Sequence, residues 1–210
     1  MVRSLVAAAF VIVASPAVPA VAGEWAIHLE GGWADLTNSS KSAKAVFDGA
    51  SGGPTFGAGF RVDVTPSIYV GVGGRFFRKE GERAFVASAG SPAFGLGHPL
   101  TVRIVPVHAQ AGWRFRPGGR LVPYVGLGVG VTSYHEESTI GGLDEPPVSQ
   151  TKASGLVAGG LEYGQGRVRF GIDLSYSAVP NSLGVGGVSQ VYGEDDVGGF
   201  TALGRIVFIP

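Results

Sequence analysis

Apolar and polar side chains alternate with a period of two in eight segments of this chain. The segments cover residues 25–36, 55–64, 68–77, 100–115, 121–134, 153–163, 168–178 and 197–208. Successive side chains of a β-strand point to opposite faces, so each segment predicts a strand with one apolar face. In the clearest segment, Phe170, Ile172 and Leu174 alternate with Gly171 and Asp173. Each segment also has the length that a tilted strand needs to cross a bilayer, about ten residues.

The connections between these segments alternate between short and long. Residues 65–67, 116–120 and 164–167 form short turns, whereas residues 38–54, 79–99, 135–152 and 179–196 form long connections. Outer-membrane barrels have short periplasmic turns and long external loops. The pattern therefore predicts an all-β, eight-stranded antiparallel up-and-down transmembrane β-barrel with both ends in the periplasm. A soluble lipocalin-like barrel shares the alternation with its two faces exchanged, so membrane partitioning separates these alternatives.

Composition favours the membrane alternative. Charged residues make up 15% of the chain, against about 25% in an ordinary soluble domain. No apolar run long enough to form a spanning helix occurs, and a closed barrel is the other structure that crosses a bilayer. The chain has no cysteine and a net charge of zero, so no thiolate chemistry and no basic surface for nucleic acid is expected.

The first 22 residues have the pattern of a cleaved secretory signal peptide. Arg3 precedes an apolar stretch from Leu5 to Val13, and Ala20-Val21-Ala22 fits the small-x-small cleavage site. The apolar stretch is too short for a membrane anchor, which takes about 20 residues. We expect cleavage after Ala22, which leaves residues 23–210 as a single barrel domain.

The fourth segment changes phase in its middle. Val102 and Ile104 are apolar at even positions, whereas Val107 and the apolar residues after it are at odd positions. Because Pro106 cannot donate to a strand ladder, the sequence predicts a β-bulge near Val105-Pro106. Such a bulge would turn Arg103 into the barrel lumen.

The polar face of the strands carries many titratable side chains, and the barrel fold directs that face into the lumen. Its members are His28, Glu30, Arg61, Asp63, Arg75, His108, Gln110, Arg114, Glu162, Arg169, Asp173 and Arg205. From their depth, we expect a lumenal charged network of Arg61, Asp63, Arg114, Glu162, Arg169, Asp173 and Arg205. An eight-stranded lumen is just wide enough for side chains, so opposite charges should pair and close it. Inward glycines leave some room, so a narrow porin-like channel for small solutes is the alternative.

Aromatic residues on the apolar face concentrate near the strand ends. Trp25, Trp113, Phe115, Tyr163, Phe170 and Phe208 lie at the predicted periplasmic ends, and Trp33 and Tyr176 lie at the external ends. Two aromatic girdles at the lipid headgroups are typical of outer-membrane barrels.

A family resemblance follows from the central hairpin. The stretch from Pro106 to Phe115, a Pro-Gly-Gly turn, and the phrase Pro-Tyr-Val-Gly-x-Gly-x-Gly from Pro123 to Gly130 resemble small outer-membrane barrel proteins. These are the OmpA-, OmpX- and OmpW-like families of the outer-membrane β-barrel domain. The resemblance implies residence in the cell outer membrane and insertion by the barrel assembly machinery. The chain departs from the usual terminal aromatic residue, since Phe208 is followed by Ile209 and Pro210.

No segment predicts an enzyme. His135-Glu136-Glu137 could form general-base or metal machinery, and the run Glu194-Asp195-Asp196 could touch cations that bridge lipopolysaccharide, but solvated loops are the simpler interpretation. We expect no catalytic residue, cofactor or metal. The expected partners are outer-membrane lipid and lipopolysaccharide, with external loops available to an unidentified surface ligand, and a monomeric state.

Overall fold

The structure is a computed structural model that describes residues 23–140, 143–144, 146–184 and 186–210. Eight long strands pair in chain order. They are β1 (Trp25–Asp35), β2 (Gly52–Asp63), β3 (Ile68–Phe85), β4 (Phe94–Arg114), β5 (Leu121–Ile140), β6 (Val148–Tyr163), β7 (Val168–Ala178) and β8 (Gly199–Phe208). The predicted signal peptide, residues 1–22, lies outside the described residues.

All neighbouring strands are antiparallel, and the last strand returns to the first. The pairs between β1 and β8 run from Ile27↔Phe208 to Asp35↔Phe200. This closure leaves the sheet without a free edge, which is what a bilayer requires of a β-structure. The predicted eight-stranded up-and-down barrel is confirmed. In the described part of the chain, no helix is long and apolar enough to cross a membrane.

Large apolar side chains cover the outer surface of the barrel. Val129 is 72% exposed, Leu127 66% and Leu174 61%. Contact of so large an apolar surface with water would be unfavourable, whereas contact with the hydrocarbon of a bilayer is favourable. The outward parity therefore forms the lipid-facing surface.

Four strands extend at least about five residues beyond the predicted alternation, all of them at their external ends. The third strand continues past residue 77 to Phe85, and its pairs with β4 include Lys79↔Val102 and Glu80↔Thr101. The fourth strand begins earlier, the fifth ends later and the sixth begins earlier than predicted. The regular alternation of apolar and polar residues is lost in these extensions, so the sequence resembles a loop there.

Two short helices lie in the first and last long connections, where the sequence predicts loops. A 3₁₀ turn at Thr37–Ser39 leads into α1 (Ser40–Val46), and α2 (Gly187–Tyr192) precedes β8. A two-residue strand, Leu143–Asp144, pairs with the end of β5 outside the barrel wall. The external end of the barrel thus carries a small folded elaboration of its own.

The predicted bulge near Val105-Pro106 is wrong. The β3–β4 register is the same at Gly74↔Val107 and Phe77↔Ile104, and the β4–β5 pairs are continuous from residue 100 to residue 114. The irregularity in β3–β4 pairing lies instead between Glu82 and Ala84. Inward- and outward-facing residues therefore keep alternating through β4. What changes is the barrel interior, which is polar on the periplasmic side of Pro106 and apolar on its external side.

Arg103 consequently lies outside the lumen. Its side chain is partly exposed and pairs with Glu137 of β5 at 2.9 Å. Val102 and Ile104 on either side of it are buried in the interior. They belong to an apolar cluster in the external half of the barrel, which consists of Leu36, Ala43, Phe47, Phe77, Leu100, Val102, Ile104, Tyr134, Val179 and Val197.

Candidate functional site

Inward side chains fill the lumen in layers from the periplasmic end to the external end. The lowest layer is apolar and consists of Ala26, Val207 and Ile209, all nearly inaccessible to solvent. Ile209 follows the last strand and donates its backbone N–H to the carbonyl of Arg167 at 2.8 Å. In the strand pairing Ala26 lies opposite Arg61, and Val207 lies opposite Arg169.

The lower charged layer joins strands on opposite sides of the barrel. Arg61 of β2 lies 2.5 Å from the carboxylate of Glu162 on β6, and its Nε lies 3.2 Å from Asp63. Arg114 of β4 pairs with Asp63 and lies 3.5 Å from Glu162. All four side chains are at least nine-tenths buried. Because β2 and β6 are four strands apart in an eight-stranded ring, the Arg61–Glu162 pair crosses the whole bore.

Two tyrosines separate the lower charged layer from the upper one. The rings of Tyr69 and Tyr124 meet edge to face with their centroids 6.3 Å apart. The Arg61 guanidinium lies 5.9 Å from the Tyr69 ring, and the Arg205 guanidinium lies 5.4 Å from the Tyr124 ring. Each ring therefore lies against one arginine of a charged layer, a contact that stabilises both partners.

Glycine makes room for these rings. A Cβ atom at Gly126 would overlap the hydroxyl of Tyr69, and one at Gly160 would meet the hydroxyl of Tyr124 at 2.5 Å. Gly126 and Gly160 thus have a packing role, because a tyrosine that crosses the lumen occupies the space of each missing side chain.

The upper charged layer has two arginines and two carboxylates. Arg75 of β3 donates to Glu30 of β1 at 2.7 Å and lies 3.3 Å from Asp173 of β7, which is diametrically opposite. Arg205 of β8 lies 3.1 Å from Glu30 and 3.3 Å from Asp173. Tyr124 donates its hydroxyl to Asp173 at 2.7 Å. The layer is a closed ring of charges, in which each carboxylate contacts both arginines.

Little free volume remains between these layers and the apolar cluster above them. A cavity of about 20 Å³ adjoins His28, Arg75, His108 and Arg205, and one of about 50 Å³ lies higher, beside Ile104. One water molecule needs about 10–15 Å³ measured in this way, so these cavities hold one water and a few waters respectively. His108 hydrogen-bonds Ser154 at 2.9 Å across the same region.

Six of the seven residues of the expected network form ion pairs, but they do so in two layers. Asp173 and Arg205 lie in the upper layer and the other four in the lower one, whereas Arg169 has no ion pair with another described residue. Arg169 is half-buried, and its Nε and Nη1 have no hydrogen-bond partner among the described residues. The network also includes Glu30 and Arg75, which the sequence placed on the inward face without assigning them to it. Their inward position in the alternation was the only sequence signal that pointed to the network. That position does not show how far a long arginine side chain reaches along the barrel axis.

The predicted girdle residues all lie on the outside of the barrel. Trp25, Trp33, Trp113, Phe115, Tyr163, Phe170, Tyr176 and Phe208 are 38% to 59% exposed. Strand pairing places Tyr163 opposite Phe170 at the periplasmic end and Tyr176 opposite Phe200 at the external end. Their contact with lipid headgroups stays a prediction.

The candidate catalytic and acidic motifs have structural contacts of their own. His135 lies within β5 on the exposed external extension and contacts Glu137 at 3.0 Å, and this hydrogen bond lowers the pKa of the Glu137 carboxyl. Glu194 accepts hydrogen bonds from the backbone N–H groups of Lys41 and Ser42, at 3.0 and 2.8 Å, and so joins the two external helices. Among the described residues, no cluster of three or more metal-ligating side chains occurs.

Comparison with known proteins agrees with this architecture. A family model for the outer membrane protein beta-barrel domain matches residues 5–196. The chain belongs to this family. It is a protein of the outer membrane, and the apolar outer surface of its strands contacts membrane lipid. No curated protein matches the chain.

Solved structures of small barrels resemble the chain in fold. Neisserial surface protein A is 12% identical with a TM-score of 0.53, and the match covers 90% of this chain and 96% of that one. The N-terminal barrel of Pseudomonas aeruginosa OprF is 12% identical, with 89% and 98% covered and a TM-score of 0.46. Ail of Yersinia pestis, in complex with the heparin analogue sucrose octasulfate, is 21% identical, with 89% and 99% covered and a TM-score of 0.46.

Proposed function

We propose that this outer-membrane barrel is a non-catalytic membrane anchor with a closed lumen, which presents its external elaboration at the cell surface. The observation that carries the proposal is the pair of ionic contacts between diametrically opposite strands. Arg61–Glu162 joins β2 to β6, and Arg75–Asp173 joins β3 to β7. Side chains that meet across the full diameter obstruct the path along the barrel axis, which supports a closed lumen.

The layers on either side of the charges support closure as well. An ion that entered from the periplasm would first meet Ala26, Val207 and Ile209, which form an apolar barrier. From the external side it would have to pass the larger apolar cluster around Ile104. Permeation would therefore require both apolar layers to open and both ion-pair layers to separate.

The chemistry available in the lumen supports a non-catalytic role. A general base must reach a substrate proton within hydrogen-bond distance. His28 and His108 are buried beside cavities large enough for water alone. His135 is accessible, but its partner is the exposed Glu137, and no pocket places a reacting group beside that pair in the described part of the chain.

The same architecture indicates how the chain meets its partners. The outer surface would contact the acyl chains of lipid and lipopolysaccharide, and the aromatic residues at both rims would set the depth of the barrel. Insertion would depend on the barrel assembly machinery. The eight-stranded sheet closes on itself, so it needs no second copy to pair its edge strands, and we propose that the protein is a monomer. Its external loops are available to a surface ligand.

Conductance in a planar lipid bilayer tests the proposal. Purified wild-type protein should give rare openings or none over a range of voltages. Simultaneous replacement of Arg61 and Arg75 by alanine, in a variant shown to be folded by its gel mobility, should increase the frequency of openings because both cross-bore contacts are lost. Steady ohmic conductance of the wild-type protein would contradict closure and favour a narrow channel for small solutes.

A further inference from the structure

The external elaboration borders a cavity of about 540 Å³, which is larger than the two lumenal cavities described above. Strands β3 to β6 form one side, and α1, α2 and the segments next to them form the other. Its floor includes Leu36, Phe47, Leu100 and Val102 of the apolar cluster, and its walls include Val46 and Val188. The volume falls within the range of small-molecule pockets, about 300–1,000 Å³.

Hydrogen bonds join the two helical segments that border the cavity. Glu194, just after α2, accepts hydrogen bonds from the start of α1 at 2.8 to 3.0 Å and from the hydroxyl of Ser42. Gly184, Gly186 and Gly187 also line the cavity. The contacts of Glu194 fix the start of α1 against the segment after α2 beside this space.

Polar groups in the lining define the kind of molecule that would fit. Arg83 and Glu136 contribute one charge of each sign, so the lining favours neither cations nor anions. The Ser39 side chain lines the cavity, and no hydrogen bond joins its hydroxyl to another described residue. A ligand carbonyl or hydroxyl would take the place of water at this hydroxyl.

We propose that this cavity binds a neutral small molecule with a compact apolar body and one carbonyl or hydroxyl group, which hydrogen-bonds Ser39. The apolar body displaces water from the side chains of Leu100, Val102 and Val188, which is favourable because that water is poorly hydrogen-bonded. The site lies at the external end of the barrel, so the molecule would enter from outside the cell. This inference adds a ligand class to the proposed anchor and does not require the lumen to be closed.

Methyl-detected NMR of the full barrel in lipid nanodiscs tests the proposal, with 2-adamantanone as the neutral probe and adamantane-1-carboxylate as the charged probe. The methyl signals of Leu100, Val102 and Val188 should shift and saturate with the neutral probe. The lipid-facing methyls of Leu127 and Val129 should shift in proportion to probe concentration, because they report partitioning into lipid. Empty nanodiscs provide the baseline for free probe.

Substitutions that fill the cavity supply the matched controls. Gly186 has an extended backbone, and a Cβ there would meet nothing within 4 Å. Gly186→Trp should weaken binding at least tenfold, whereas Gly118→Trp in an open periplasmic turn should leave it unchanged. Val188→Trp fills the same space from α2 and should act like Gly186→Trp if one variant folds poorly.

The serine contact has its own test. Ser39→Ala should weaken binding of 2-adamantanone about 2–10-fold, the contribution of one hydrogen bond, and Ser88→Ala in an exposed loop should have no effect. Absence of saturable shifts at the cavity methyls would overturn the proposal. Equal affinity for the carboxylate probe, or binding unchanged in both tryptophan variants, would also overturn it.

Discussion

Replacement of Glu162 by alanine is the sharpest test of the ion-pair layers. Glu162 is fully buried and accepts hydrogen bonds from Arg61 at 2.5 and 3.5 Å, and Arg114 lies 3.5 Å from it. Without this carboxylate, Arg61 and Arg114 would share Asp63 alone. Breaking a buried ion pair by removing one partner costs about 3–5 kcal/mol, because the remaining charge is buried and uncompensated. Water that enters the space vacated by the Glu162 side chain would bring the loss of unfolding free energy toward the lower end of this range.

Reversible unfolding in urea from lipid vesicles measures this loss. With a denaturant slope of about 1–3 kcal/mol/M for a small protein, the midpoint should fall by about 1 M or more. Glu137→Ala is the matched control, since Glu137 also pairs with an arginine but is about half exposed. An exposed pair contributes about 0–1 kcal/mol, so its midpoint should scarcely move.

The arginines of the same layer give a second matched comparison. Arg61→Ala should destabilise the barrel as strongly as Glu162→Ala, because it leaves a buried carboxylate with fewer partners. Arg169→Ala should have a small effect or stabilise, since Arg169 has no ion-pair partner among the described residues. Equal midpoints for Glu162→Ala and Glu137→Ala, or equal losses for the two arginine variants, would refute the paired network.

Much of the lower lumen could be predicted because strand geometry fixes it. Parity decides which side chains face inward, and the tight turns give their depth, so Arg61, Arg114 and Glu162 were expected at one level and are found in contact. This inference needs only the period of two and the position of each turn. It does not depend on side-chain conformations.

The upper layer could not be predicted in the same way. Arg75 has a long, flexible side chain and reaches two carboxylates from different strands, Glu30 and Asp173. Which acceptor a guanidinium contacts depends on the strand stagger around the whole barrel, and hydropathy carries no information about stagger. Arg169 is the opposite case: it has the inward parity, but its Nε and Nη1 have no hydrogen-bond partner among the described residues.

The bulge predicted near Pro106 is absent for a physical reason. Val102 and Ile104 keep the inward parity, but the barrel interior at their level is apolar. A pattern that assumes polar groups inside and apolar groups outside predicts a shift of one residue at this point, and therefore a bulge. The inward apolar residues instead form a core at the external end of the barrel.

Three further predictions follow from the barrel. The folded protein should migrate differently on gels before and after boiling, since a closed sheet resists detergent; identical migration would contradict closure. NMR titration should give the Glu137 carboxyl a pKa below that of an ordinary glutamate, and His135→Ala should raise it. Any stability from this contact is therefore present above the ordinary pKa and lost as the pH falls through the lowered one. The last prediction concerns Leu174, which is 61% exposed on the outer face, whereas the neighbouring Asp173 faces the charged lumen. In lipid, Leu174→Arg should lose about 2–4 kcal/mol, as for arginine near the bilayer midplane. Leu174→Ala should lose less, because it removes apolar contact without burying a charge. Unfolding from vesicles separates the two, and equal stability of both variants would mean that Leu174 does not face hydrocarbon.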